Sequence, residues 1–522
     1  MSKTKRLIIF IAAFVIIAGV MTLSFSRRLE VSVGITAEKQ DPDSFFSGGI
    51  AKYPGAGTYA WVIFILGLIA VGTMAFLVLR SGWRMEKLFL AIVIPLGLLY
   101  MFMMAPLSIP DEQVHYQCAY QISGVLTFQP GKAIAEHLDY HGLVGHFNLS
   151  SGYDRMMRDV FAPLGRGEEI SLPYCYNMAY PVMYLPQALG IALGRLIGGN
   201  MVQLLLIGRL FNLLFYTLCV YWAIRLTPKY KPLFLMVGLV PMAMQQAASL
   251  SYDAFNIGGA LLLFGAVFRT AAGKEKITIK EFGLIALIGL LLIPAKPTNF
   301  PLLLFYLLIP SERFRNQKQR WIWVGGAWLL TLGVVLLTQR SGISGVATSY
   351  DNALNWEGKQ NYSAAYALSH PVDTIKVYVN TIRIDGSLLF YQSIGSVLAG
   401  QTMQLPMSYI KIYLILMILC VLRRAGSSDR ITWQSRTIFL GSSLLCVFLT
   451  MTTMFLIWTS EGRETIQGLQ GRYFTPCLLP ALLCLDNDVI ILHRDVDKFV
   501  IITGLVMHMG IIMEVLCKTM LN

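Results

Sequence analysis

Long apolar runs recur from one end of the chain to the other, separated by short polar stretches. Each run holds roughly 20 residues, enough to cross a bilayer core of about 30 Å as a helix. The runs lack the alternation of a membrane barrel strand, and a backbone surrounded by lipid must satisfy its own hydrogen bonds, so helices are expected. The pattern places spans at 7–25, 59–79, 88–106, 201–224, 233–250, 254–272, 282–295, 298–310, 321–338, 406–422, 437–458, 474–492 and 499–517. The opening MSKTKRLIIFIAAFVIIAGVMTLSF has the flanks of a signal peptide, but its apolar core is long and no small-residue cleavage site follows, so it reads as a retained first helix. The expected fold class is an all-α integral membrane protein of about 13 transmembrane helices.

Charge orients the bundle. With the N-terminus inside, the inner segments are MSKTKR, RSGWRMEK, RLTPKYKP, RTAAGKEKITIKE, SERFRNQKQR, RRAGSSDRITWQSR and HRDVDK, which together hold more than half of the 42 Lys and Arg residues. Short loops rich in Lys and Arg stay in the cytoplasm. The expected location is therefore a plasma (inner) membrane, with a cytoplasmic N-terminus and two large outer segments at about 107–200 and 339–405. Residues 1–80 read as an N-terminal transmembrane hairpin and 81–522 as the main membrane domain. Within the first outer segment, YPVMYLPQALGIALGRLIGG at 180–199 cannot be a full span without inverting every later loop. Its prolines suit a juxtamembrane helix lying on the membrane or dipping part way into it.

Composition narrows the class. Of 522 residues, 55% are hydrophobic and 14% charged, and net charge is +13. A basic balance in a soluble protein would suggest nucleic acid, but here the positive loops account for it, and membrane lipids are the expected surroundings. The eight cysteines show no metal-ligand spacing. Cys118 and Cys175 share the first outer segment, and the sequence leaves open whether they pair. His137 and His141 are spaced i, i+4, with His146 beyond, but without an HExxH pattern they read as loop residues.

The polar residues worth chemistry gather on the outer side. They are Asp111, Glu112 and His115 in PLSIPDEQVHYQ, Asp253 in SLSYDAFN, Lys296 in IPAKPTNF, Arg383 and Asp385 in NTIRIDGS, and Arg472 with Tyr473 in QGRYF. Lys296 stands between two apolar runs, where an unpaired cation costs about 2.5 kcal/mol or more. A carboxylate can take the proton of an attacking hydroxyl, and Lys or Arg can hold the charge on a departing phosphate oxygen. The plain alternatives are a solvated acid pair after a helix stop and cations snorkelling to headgroups.

The order of PDEQVHYQCAYQISG, NMAYPVMYLPQALG, SLSYDAFN, IPAKPTN, SHPVDTIKVYVNT and QGRYFTPCLLP resembles the domain-of-unknown-function 2142 family of bacterial membrane proteins, from about residue 88 onward. That family is similar to the GT-C superfamily of polytopic glycosyltransferases. The resemblance implies a GT-C-like core and transfer of a sugar from a polyprenyl-phosphate-linked donor to a cell-envelope glycan or lipid-linked acceptor on the outer face. It implies Asp111 as catalytic base, with Glu112 as the second choice and His115 orienting the acid or the acceptor. Lys296, Arg472, Tyr473, Asp253 and Arg383 become the substrate-binding set. Some superfamily members hold magnesium or manganese in acids and others do not, and the sequence leaves this open. Two other classes compete: a flippase or transporter of a lipid-linked saccharide, and a non-catalytic partner of a glycan assembly complex. A flippase calls for a polar path through the bilayer and often for internal repeats. Neither is evident in the chain.

Overall fold

The computed structural model describes residues 3–38, 54–139, 149–163, 167–172, 180–340, 361–400, 402–425 and 431–521. The described residues are mostly helical, with three two-stranded sheets among them: Lys132–Ile134 antiparallel to Glu169–Ser171, Val397–Leu398 antiparallel to Met403–Gln404, and Arg423–Arg424 parallel to Ile491–Leu492. Among the described residues, eight helices are long and apolar enough to cross a membrane. They are Ile8–Glu30, Gly55–Arg80, Met85–Met103, Met201–Leu226, Asp253–Ala271, Gln317–Thr338, Trp433–Ile457 and Asp497–Met520.

The other five predicted spans are helical but broken or short, and four of them carry proline inside. The run 233–250 splits into Lys231–Gly238 and Pro241–Ala247, because Pro241 lacks an N–H and pushes Val240 out of the helical region. Residues 282–295 form Ile279–Leu292 followed by a tight turn at Ile293–Ala295, which contains Pro294. Pro297–Leu308 is a 3₁₀ helix with Pro301 inside. The run at 474–492 is a 3₁₀ segment, Gly471–Cys477, joined to the six-residue helix Leu478–Leu483, so it stops well before residue 492. Met407–Val421 is continuous but has only 15 residues.

The N-terminal hairpin is seated on the C-terminal helix. Phe25 stacks on Phe64, Arg28 pairs with Glu514, and Gly67 faces Met509. Between Met85–Met103 and Met201–Leu226 lie the helices Glu112–Leu126, Leu149–Asp159 and Leu185–Leu196. The last of these lies along the start of Met201–Leu226. A Cβ on Gly190 would meet the Ile207 carbonyl oxygen at 2.6 Å, so only glycine permits this approach. Leu189, Leu193 and Leu196 are exposed. Ahead of Met407–Val421 lies a 24-residue helix, Pro371–Ile394, that hydropathy alone does not reveal, because Asp373, Lys376, Arg383 and Asp385 interrupt its apolar positions. Cys118 is fully buried and disulfide-bonded, whereas Cys175 lies outside the described residues, as do His141 and His146. His137 is described and is hydrogen-bonded to the Tyr120 hydroxyl.

Candidate functional site

A helix stop separates two acids that are adjacent in the sequence. The helix Met85–Met103 ends, a turn follows, and Asp111 adopts the left-handed conformation (φ 61°) as the residue preceding Glu112–Leu126. Asp tolerates this region better than most residues, yet it remains an uncommon backbone state. The consequence is that Asp111 and Glu112 point into different surroundings.

Glu112 is taken into the interior. Its carboxylate receives two hydrogen bonds from Arg209, at 2.8 and 2.6 Å, and a third from the Leu250 N–H at 3.1 Å. Arg209 also donates to the carbonyls of Met101, Met104 and Ala105, so it caps the end of the preceding helix. Both side chains are inaccessible to solvent. The same knot fixes the segment before Asp253: Asn212 donates to Ser249 and Ser251, Gln187 donates to Leu250, and the Asp253 N–H donates to the Ser251 hydroxyl. Glu112 therefore ties the turn that carries Asp111 to the turn that carries Asp253, and it does not line the cavity described next. Arg209 escaped the sequence reading. Its only signal was a lone cation inside an apolar span, the kind of residue that demands a partner.

Asp111 faces a cavity of about 250 Å³, lined also by His115, Tyr252, Asp253, Trp458, Gln470, Arg472 and Tyr473. The Asp111 carboxylate is 56% exposed, whereas the Arg472 side chain bonded to it is 4% exposed. Arg472 also donates to the Pro110 carbonyl at 3.0 Å and lies 3.4 Å from Asp253. Asp253 in turn lies 3.5 Å from Lys296, whose ammonium sits 3.8 Å from the centre of the Tyr473 ring. Opposite charges thus alternate from the cavity inward: Asp111, Arg472, Asp253, Lys296. Proline on both sides of Lys296 breaks the helix there and turns the cation inward. Lys296 is a layer behind the cavity wall. Arg472 reaches the wall because Gly471 packs against Gln392 and Ser393 with no room for a side chain, and its N–H bonds the Gln392 amide oxygen.

His115 is 3% exposed, hydrogen-bonded through Nδ1 to the Tyr184 hydroxyl at 2.9 Å and edge-on to Tyr252. Burial pushes its pKa down to about 4, and the Arg472 charge acts in the same direction, while Asp111 and Asp253 oppose them. At neutral pH the ring is therefore uncharged. Since its native pKa lies below the ordinary value, His115 contributes full stability above about pH 6.5, and that contribution is lost as pH falls toward 4. The expected result is that the Tm of the wild-type protein drops more steeply between pH 6.5 and 4 than that of His115→Gln. Parallel curves would refute it.

The site joins Asp111, His115, Asp253, Arg472 and Tyr473 and leaves out Arg383, which is exposed on Pro371–Ile394 and does not line the cavity. Sequence reasoning missed Trp458 and Gln470. Trp458 lies one residue beyond its helix, against Gly468 (φ 75°), where a Cβ would approach the indole at 2.5 Å. The two acids of the cavity are both engaged by Arg472, and among the described residues no three metal-ligating side chains converge.

No curated protein and no solved structure matches the chain. The family model described as "Predicted membrane protein (DUF2142)" matches residues 169–481. The match starts later than the resemblance read from the sequence. It includes Asp253, Lys296, Arg472 and Tyr473, while the PDEQVH stretch lies ahead of it. Covering more than half of the chain, it makes this protein a member of the DUF2142 family of membrane proteins.

Proposed function

We propose that the Asp111 cavity transfers a sugar from a polyprenyl-phosphate donor to a hydroxyl of an envelope glycan or lipid-linked acceptor, at the outer face of a bacterial plasma membrane, as a GT-C-type glycosyltransferase does. The observation that carries the reading is the pairing of a half-exposed carboxylate with a buried guanidinium on one cavity wall at the ends of apolar helices. In the reaction the acceptor oxygen forms a bond to the anomeric carbon and passes its proton to the Asp111 carboxylate. The bond from that carbon to the phosphate oxygen breaks, and its electron pair leaves with polyprenyl phosphate. A direct displacement inverts the anomeric configuration.

Arg472 is the residue positioned to hold the phosphate. Its charge is balanced by Asp111 and Asp253, so an arriving phosphate shares the guanidinium with Asp111 and frees that carboxylate to face the acceptor. Lys296 acts from behind, compensating Asp253 so that the buried acid does not cancel Arg472. Tyr473 covers the ammonium of Lys296. Glu112 has no place in the proton transfer, because its oxygens are consumed by Arg209 and Leu250. The lipid part of the donor could lie along Trp433–Ile457, which reaches the cavity at Met454 and exposes Leu444 and Phe448 along its length.

Binding of a C55 polyprenyl phosphate to protein in nanodiscs tests the donor side. Wild-type protein is expected to hold the phosphate and not the corresponding prenol. Arg472→Gln is expected to weaken binding about tenfold or more, as a lost hydrogen bond to a charged group would. Equal affinity for prenol and phosphate would contradict the reading.

A further inference from the structure

At the end of the bundle opposite the Asp111 cavity, two adjoining cavities of about 210 Å³ each meet at Lys229 and Tyr230. They differ in character. One is lined by Lys229, Arg423, Arg424 and Asp497. The other is walled chiefly by Phe268, Ala271, Leu308 and Phe439, with Ser435 at its edge. The parts come from the ends of several apolar elements, Met201–Leu226, Asp253–Ala271, Pro297–Leu308 and Met407–Val421, so the pair sits at the membrane boundary.

The basic lobe is built rather than incidental. Arg423 and Arg424 are held by the short parallel pairing with Ile491–Leu492. Arg423 lies 3.3 Å from Asp486 and also pairs with Asp488, and Arg424 pairs with Asp497. Arg436 is 3.9 Å from Asp486 on the far side. The carboxylates fix the arginines in place and offset part of their charge, so a phosphate here would share Arg423 and Arg424 with them, and Lys229 lines the junction of the two lobes. Tyr230 is left-handed (φ 56°, ψ 26°), a rare state for a bulky residue, and it stands where the two lobes join.

We infer that this pair of cavities binds an anionic glycerophospholipid, with its phosphate headgroup in the lobe of Lys229, Arg423 and Arg424 and the start of an acyl chain in the lobe of Phe268, Leu308 and Phe439. A soluble anion would use only the first lobe. A zwitterionic lipid would bring its own cation against the arginines. The anionic lipid matches both, and the Lys- and Arg-rich loops lie at this end.

The test is a lipid titration of the full-length protein in detergent, read by native mass spectrometry, with palmitoyl-oleoyl phosphatidylglycerol and phosphatidylcholine as probes. Wild-type protein is expected to bind phosphatidylglycerol at least about fivefold more tightly. The double variant Lys229→Gln/Arg424→Gln is expected to lose that preference, and Ala271→Phe, which fills the apolar lobe without touching charge, to weaken phosphatidylglycerol binding several-fold. Free glycerol 3-phosphate at equal concentration is expected not to displace the lipid. Equal binding of the two lipids by wild-type protein, unchanged binding by either folded variant, or displacement by glycerol 3-phosphate would each overturn the inference. Folding is checked by size-exclusion profile and Tm, and if the double variant does not fold, Ala271→Phe and the lipid preference decide the matter.

Discussion

Glu112→Ala is expected to lose about 3–5 kcal/mol of stability, the usual cost of removing one partner of a buried ion pair. The size follows from what Arg209 would be left with. It has no access to solvent, and three of its bonds go to backbone carbonyls that do not neutralise its charge. The Leu250 N–H would also lose its acceptor, in a segment that positions Asp253. Glu112→Gln should cost less, since the amide oxygen can still accept from Arg209. The paired change Glu112→Leu/Arg209→Met should recover much of the loss, because two apolar groups leave no charge unpaired. The measurement is the Tm of each purified variant in the same detergent. A Glu112→Ala protein as stable as wild type would show that the knot does not hold these turns.

Asp111→Asn should behave in the opposite way. The carboxylate is more than half exposed, and asparagine tolerates the left-handed backbone, so the fold should survive with a change of about 1 kcal/mol or less. The amide cannot take a proton from the acceptor hydroxyl. Transfer should therefore fall by about 10²–10⁴-fold, the range that general-base catalysis supplies. On the proposed function the two neighbouring substitutions should separate a structural acid from a reacting one: Glu112→Ala is expected to lower Tm, and Asp111→Asn to lower turnover. An Asp111→Asn protein with undiminished transfer would remove Asp111 from the reaction.

The sequence made this contrast only partly legible. Hydropathy located most of the apolar helical elements because apolar length is a local property, but it read 233–250, 282–295, 298–310 and 474–492 as unbroken spans, although each carries the proline at which the structure breaks or tightens it. It could not tell Asp111 from Glu112, since their difference arises from one left-handed residue and from Arg209, which lies 97 positions from Glu112. Asp253, Arg472 and Tyr473 were legible as polar residues at span ends, a pattern that carries a free-energy cost in any membrane protein. Lys296 was singled out for the same reason, but its place behind Asp253 depends on packing. Arg383 lies apart from the cavity wall, exposed on Pro371–Ile394, a placement set by which face of that helix packs inward and not legible from its neighbours in sequence. Trp458 and Gln470 gave no signal: an aromatic residue and an amide near a helix end are ordinary until a tertiary contact places them on a cavity wall. The long helix Pro371–Ile394 stayed hidden because its charges lower its mean hydropathy without lowering its helix length.

The central claim is that sugar transfer depends on Asp111. Its most direct test is a mass profile of envelope glycans and polyprenyl-linked sugars in cells carrying wild-type protein, Asp111→Asn at matched expression, or no protein. The account predicts that Asp111→Asn and the deletion lose the same single sugar increment, whose mass identifies the sugar class. If the deletion alters the glycans while Asp111→Asn matches wild type, the base assignment is contradicted, and transport or a partner role in glycan assembly takes its place.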